Sequence, residues 1–196
     1  MTEWTQRAHV LADHAVSGVL GHVSSLHFDT MSELLWVGSA SGQLTSHTGA
    51  LPTLPRYTSL AAHGAPKQPR HVRGILSDDK FIISLSEGRV CASQRQGLGR
   101  WSMQIEDHAP GVALAGLCAS PQSASSDIIV GGAAPNSHDA LFALHSISGR
   151  IVRSAVSDGT VTQLRKGSRY LCVGTEQGTI QLHDPRSLRA EHKLPA

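Results

Sequence analysis

The chain has 196 residues, of which 40% are apolar and only 16% charged. That length supports one domain with a substantial core or two small ones, and the composition excludes a disordered polyelectrolyte. With 17 Lys and Arg against 15 Asp and Glu, the net charge is +2, which excludes the strong basic field of a nucleic-acid tracker.

The N-terminal MTEWTQRAHVLADHAV carries acids and has no long apolar core, so it is neither a signal peptide nor a membrane span. Residues 1–20 are left open between an extension and a closing strand, and RAHVLADHAV is the one ambiguous stretch. A strand reads from HVSSLHFDT at 22–30, followed by ELLWVGSASGQL at 33–44. The run LLWVG is too continuous for a half-wet strand and suits one buried on both faces. RYTSLAAHGAPKQPRH at 56–71 has no strand rhythm and reads either as a plain linker or as an exposed contact loop.

The pattern then recurs. HVRGILSDD (71–79) aligns with 22–30, and DKFIISLSEGRVCA (79–92) aligns with 33–44. VALAGLCAS (112–120) and DIIVGGAAPNSHDALFALHS (127–146) form a third pair, with a longer turn. TVTQLRKGS (160–168) and RYLCVGTEQGTI (169–180) form a fourth. Gly38 falls on Gly131 and Gly174, and Gly42 falls on Gly88 and Gly178. Gly42 and Gly178 lie 136 residues apart, three periods of about 45 residues, the length of a propeller blade. The second glycine of each unit predicts a two-residue hairpin turn needing positive φ. All-β units of this length bury their faces only by stacking. The expected fold is therefore an all-β, WD-repeat-like partial propeller of about four blades, at about 21–63, 64–105, 106–154 and 155–196.

Little in the chain points to catalysis. Cys91, Cys118 and Cys172 are widely spaced and form no CxxC pair, against a disulfide framework or zinc site and in favour of a reducing compartment. Twelve histidines contain no HxH or HExxH cluster with acidic partners, so a structural role is favoured for each. There is no GxSxG elbow and no GxGxxG, and the fifteen acids are scattered through turns rather than converging as two-metal hydrolysis requires. Asp29 or Asp78 in a triad is a turn acid unless geometry says otherwise. Lys67, Arg70 and Arg73 read as a solvated loop. Trp36 sits in an apolar strand and reads as core, while Trp101 is balanced between core and partner anchor. The candidate partner contacts are Arg56, Tyr57, Arg70, Arg73 and Trp101.

WD repeats open near Gly-His and close on Trp-Asp. Here Gly21-His22 and Ala62-His63 stand at the opening, and His183-Asp184 at the closing, with His47 and His145 in the same column. The usual Asp before the turn glycine is Ser41, Glu87 or Gln177, so the blade hydrogen-bond network is expected to be incomplete.

Several phrases carry a closer resemblance. They are Phe28-Asp29 with Glu33-Leu34-Leu35-Trp36 and Gly38, then Arg56-Tyr57-Thr58-Ser59, then Ser84-Leu85-Ser86 and Ala92-Ser93 with Arg95, Gly97 and Leu98. Tyr170-Leu171-Cys172 and His183-Asp184-Pro185 follow in order. From about Gly21 to Leu194 the chain resembles the N-terminal WD-repeat propeller of the catalytic subunit of the poly(A)-specific ribonuclease (Pan) deadenylation complex. The resemblance implies a cytoplasmic protein, with P-bodies as a candidate site. It also implies a larger protein whose later regions bind a regulatory subunit and carry a metal-dependent 3'-5' exoribonuclease.

For this chain the expectation is a non-catalytic scaffold for mRNA deadenylation, without cofactor; a divalent metal is expected only for the nuclease domain. The implied partners are the regulatory subunit, the remainder of the catalytic subunit and, indirectly, poly(A) ribonucleoprotein, with no membrane and no direct DNA binding. A fragment, a split gene model or a truncated paralogue would account for the length. The alternative is a generic WD-repeat adaptor unrelated to RNA decay. Four blades of a larger ring also leave two sheet faces open, which predicts marginal stability or association with another copy or a partner.

Overall fold

The computed structural model describes residues 22–29, 31–48, 55–65, 68–119, 127–133 and 140–194. The expectation for residues 1–20 lies outside them, as does Lys67. Four antiparallel four-stranded sheets follow one another along the chain, each a meander from inner to outer strand. Blade 1 holds β1 (Val23–Asp29), β2 (Leu34–Ser39), β3 (Gln43–Thr48) and β4 (Arg56–Ala61). A minimal hairpin, β5 (Gly64–Ala65) and β6 (Gln68–Pro69), leads to blade 2. Blade 2 holds β7 (Gly74–Ser77), β8 (Ile82–Leu85), β9 (Arg89–Ser93) and β10 (Gly99–Gln104). Blade 3 holds β11 (Ala113–Ala119), β12 (Asp127–Ala133), β13 (Leu141–His145) and β14 (Ile151–Ala155). Blade 4 holds β15 (Val161–Lys166), β16 (Leu171–Thr175), β17 (Ile180–His183) and β18 (Ala190–Leu194). The fold is an all-β partial propeller.

The core lies in three slabs between successive sheets. Trp36 and Leu44 of blade 1 pack with Ile82 of blade 2. Ile83, Leu85 and Val90 of blade 2 pack with Leu114, Ile128 and Phe142 of blade 3. Ile129, Leu141 and Ala143 of blade 3 pack with Val161, Leu164 and Val173 of blade 4. Second strands are buried on both faces, which is why LLWVG and FIISL read as continuous apolar runs. Inner strands touch in sequence, β1 with β7, β7 with β11, and β11 with β15.

Two expectations are corrected. The segment 56–71 is not a structureless connection: Arg56–Ala61 is the outer strand of blade 1, paired with β3 from Gln43↔Ala61 to His47↔Arg56. Only Thr58 and Leu60 turn partly inward, too few apolar residues for alternation to be visible. The hairpin glycines depart from the expectation of a two-residue turn with positive φ in different ways. At Gly42 and Gly178 the loops hold three residues, 40–42 and 176–178, with the glycine last and left-handed as expected, at φ 84° and 77°. At Gly88 the loop has the expected two residues, closed by Ser86 N–H to Arg89 O at 2.9 Å, but Gly88 lacks positive φ. Its missing side chain instead leaves room for Glu106 and Arg70, whose tips would meet a Cβ at 3.1 and 3.3 Å.

Gly38, Gly131 and Gly174 share a different task. Each pairs with the inner strand just after a one-residue register shift, opposite Ser25, Gly116 and Gln163 respectively. A Cβ at Gly38 would fall 2.3 Å from Ser25 Oγ, and one at Gly131 2.8 Å from Leu141 Cδ2. At Gly174 the nearest atom is 3.6 Å away, an ordinary contact.

Candidate interaction surface

The polar side chains at the blade junctions show what the chemistry-bearing residues do. His63 is buried between blades 1 and 2, where its N–H donates to Gly42 O at 2.9 Å and its Nε2 lies 2.9 Å from Ser84 Oγ. Burial, with the charge of Arg89, lowers its pKa to about 4. His63 thereby ties the β2–β3 turn of blade 1 to β8 of blade 2. His183 lies with Nδ1 2.8 Å from Leu188 O and Nε2 2.9 Å from Gln181 Oε1, and burial lowers its pKa. Asp184 accepts the N–H groups of Arg186 and Ser187 and so caps the turn into β18.

Among the described residues, serine hydroxyls stand within hydrogen-bond distance of His27, His63 and His145. Ser77 Oγ lies 2.7 Å from His27 Nε2, with Asp29 two residues further along β1. That Nε2 also accepts the Ser77 N–H at 3.2 Å. Asp29 does not orient the ring: Oδ2 takes Arg95 Nε at 2.8 Å and Oδ1 takes Met31 N–H at 3.1 Å. Burial works to raise the Asp29 pKa, but Arg95 and the neighbouring Met31 and Ser32 outweigh it and hold it low. The trio joins blade 1 to blade 2. Among the described residues, no group of three His, Cys, Asp or Glu is placed to hold a metal ion. The three cysteines are free, and burial pushes the Cys118 thiol up to about 12, far from a reactive thiolate.

The five candidate contact residues do not form one patch. Arg70 pairs with Glu106 at 3.5 Å. Arg73 pairs with Glu87 at 3.0 Å and donates to Leu114 O at 3.4 Å, reaching from blade 2 to blade 3. Trp101 is half-buried, donates Nε1–H to Ser146 O at 2.7 Å and packs against Gly149, so it anchors blade 2 on blade 3. Arg56 and Tyr57 remain exposed on β4.

A neighbouring feature was not anticipated from the sequence. The outer strands β4 and β10 enclose a cleft lined by Leu60, Ala62, Cys91, Trp101 and Arg100. Exposed Arg100 belongs to its blade 2 side. Gly97 brings this side close, since a Cβ there would lie 2.6 Å from Thr58 Oγ1. Leu60, Ala62 and Trp101 make its lining partly apolar, and Arg100 adds a cation.

Comparison with known proteins agrees with this architecture. The chain is 36% identical over 158 residues to the PAN2-PAN3 deadenylation complex catalytic subunit of Aspergillus oryzae, covering 80% of this chain and 12% of that protein. It therefore spans about an eighth of that relative's length. The Neurospora crassa Pan2 WD40 domain superposes with a TM-score of 0.82 at 27% identity, over 98% of this chain and 56% of that one. A computationally designed protein, Ika4, shares the fold alone, with a TM-score of 0.64 at 14% identity over 93% of this chain and 99% of its own. Residues 8–196 match the family model described as PAN2 N-terminal, and the chain belongs to that family.

Proposed function

We propose that this chain is a non-catalytic scaffold of poly(A)-tail shortening, presenting a rigid β surface to the regulatory subunit of a deadenylation complex. The supporting observation is family membership across residues 8–196, together with a relative named for a PAN2-PAN3 complex. The side chains best suited to chemistry, His27, Asp29, His63 and His183, are engaged in tying blades and turns together. In this reading the chain binds no metal of its own, works in the cytoplasm and meets poly(A) ribonucleoprotein only through its partners. Of the five candidate contacts, Arg56 and Tyr57 are exposed on β4, the outer strand of blade 1.

The test is retention of purified regulatory subunit by the tagged chain. Binding that Tyr57→Ala with Arg56→Ala weakens at least tenfold supports both role and surface; no binding overturns the role. Incubation with poly(A) and Mg²⁺ is expected to release no AMP, and release that scales with chain concentration would overturn the non-catalytic reading.

A further inference from the structure

The turns at one rim of the blades differ in charge from those at the other. In a four-stranded meander the first and third hairpins lie at one end of the sheet and the second at the opposite end. In blade 4 the first and third hairpins are the β15–β16 and β17–β18 turns. This end of the blade carries Arg165, Lys166, Arg169, Arg186 and Arg189, all exposed, against Asp184 and Glu191. None of the five cations forms an ion pair among the described residues. Asp184 already accepts hydrogen bonds from the N–H groups of Arg186 and Ser187 and from the Ser187 hydroxyl. At the opposite rim cations are neutralised: Arg70 pairs with Glu106, Arg73 with Glu87 and Lys193 with Asp158.

The two cationic turns meet at a pocket. Arg169 of the β15–β16 turn and Arg186 of the β17–β18 turn line it, together with Ser168, Tyr170 and Glu191. Arg169 lies over the Tyr170 ring, 5.9 Å from its centroid, and His192 meets that ring edge-on at 5.8 Å. A carboxylate seated here finds two guanidiniums from separate hairpins, each with planar, paired donors. Stacking of another blade does not cover this rim. In blade 2, which has a blade on either side, Lys80, Gln96 and Leu98 of the equivalent turns remain exposed.

We infer that this rim of blade 4 docks an acidic segment of a protein partner, with one of its carboxylates in the pocket between Arg169 and Arg186. The inference rests on the scaffold reading only in taking the partner to be a protein. Two observations favour a peptide over a nucleic-acid backbone. Glu191 stands in the same lining, and a phosphodiester chain, charged at every nucleotide, has no neutral unit to set against it, whereas a peptide does. Tyr170, the aromatic of this lining, is already engaged by Arg169 and His192 rather than free to stack a base. Exposed charges of this kind select and steer a partner more than they tighten it, and salt screens them.

The test is fluorescence anisotropy of dye-labelled probes on the full chain: a Glu-Gly repeat peptide, Gln-Gly and Lys-Gly repeats of the same length, and a single-stranded oligoadenylate of equal charge. The Glu-Gly peptide is expected to bind, and to weaken about tenfold as NaCl rises from about 50 to about 500 mM. The Gln-Gly and Lys-Gly peptides should not bind. Arg169→Glu with Arg186→Glu changes two exposed positions, so it should keep the far-UV spectrum and thermal unfolding of the wild type while losing the Glu-Gly peptide about tenfold or more. Should that pair disturb the fold, Arg169→Gln with Arg186→Gln removes the charge without reversing it and is expected to lose the peptide likewise. Lys80→Glu, at the same rim of blade 2, should leave binding unchanged. No binding of the Glu-Gly peptide at about 1 mM, binding that survives loss of both arginine charges, binding that Lys80→Glu abolishes, or tighter binding of the oligoadenylate would each overturn the inference. If the Glu-Gly peptide fails to bind while the regulatory subunit is still retained, the inference falls and the scaffold role stands.

Discussion

Arg95 Nε donates to Asp29 Oδ2 at 2.8 Å, from the β9–β10 loop of blade 2 to the end of the inner strand of blade 1. Its other nitrogens hold the carbonyls of Asp78 and Asp79, so one guanidinium clasps the β1–β2 turn to the β7–β8 turn. The carboxylate is 1% exposed and the guanidinium 17%. Removing the cation should therefore cost more than removing the anion. Arg95→Ala strands a buried charge and is expected to lose about 3 kcal/mol of stability. Asp29→Asn leaves a cation that can turn to water and should lose roughly half of that. Urea unfolding at pH 7 measures both. The Arg95→Ala deficit should shrink as pH falls and the stranded carboxyl takes up a proton.

The hairpin glycines should differ sharply in tolerance. Gly178→Ala carries the penalty of its left-handed φ, about 1 kcal/mol. At Gly42 a Cβ would also fall 1.6 Å from the His63 carbonyl oxygen, so Gly42→Ala is expected to cost roughly 3 kcal/mol or more and to loosen the blade 1–2 junction. Gly88→Ala meets only flexible side-chain ends and should stay within about 0.5 kcal/mol. Thermal unfolding of the three variants ranks them.

Acid should weaken the fold through its buried histidines. The native pKa of His63 is depressed to about 4 from an ordinary 6.5, so the unfolded chain binds the extra proton. This contribution is complete above pH 6.5 and is lost as pH falls from 6.5 towards 4, on the order of 3 kcal/mol for the single group. His27 and His183 are shifted the same way, mainly by burial. Stability measured by denaturant at successive pH values should fall over that window. His63→Gln, which has no imidazole to protonate, should flatten the slope.

Trp101 should behave as an inter-blade anchor. Trp101→Phe keeps the ring but leaves the Ser146 carbonyl unpaired, a loss of about 1 kcal/mol. Trp101→Ala also empties the space against Gly149 and should cost roughly 3 kcal/mol. A fall in the melting temperature with unchanged retention of the regulatory subunit would separate this role from partner contact.

The legible part of the molecule was its middle. Second strands such as Leu34–Ser39 and Leu171–Thr175 are pressed between neighbouring sheets, and that burial writes continuous apolar runs and fixed glycines into the sequence. Outer strands leave a fainter trace: Arg56–Ala61 and Ala190–Leu194 face water over most of their length, so their residues need little periodicity. The candidate site was less legible still. Asp29 and Arg95 both stood out in their phrases, but 66 residues separate them, and only the stacking of two blades brings them together. The cleft between β4 and β10 has the same origin, since neither strand alone carries a sign of the other.

The register shifts carry a record of descent. The insertion of a single residue turns every later side chain of a strand to the opposite face, so such a change survives only with matching changes around it. Yet β1, β11 and β15 shift at the same point, each opposite a glycine of the second strand, and in blade 2 the Arg73 N–H just before β7 donates to the Leu85 carbonyl, which stands opposite Gly74. Three separate insertions at one site are a far longer route than one, copied with its blade. Blades 1, 3 and 4 therefore read as duplicates of an ancestor that already had the kink.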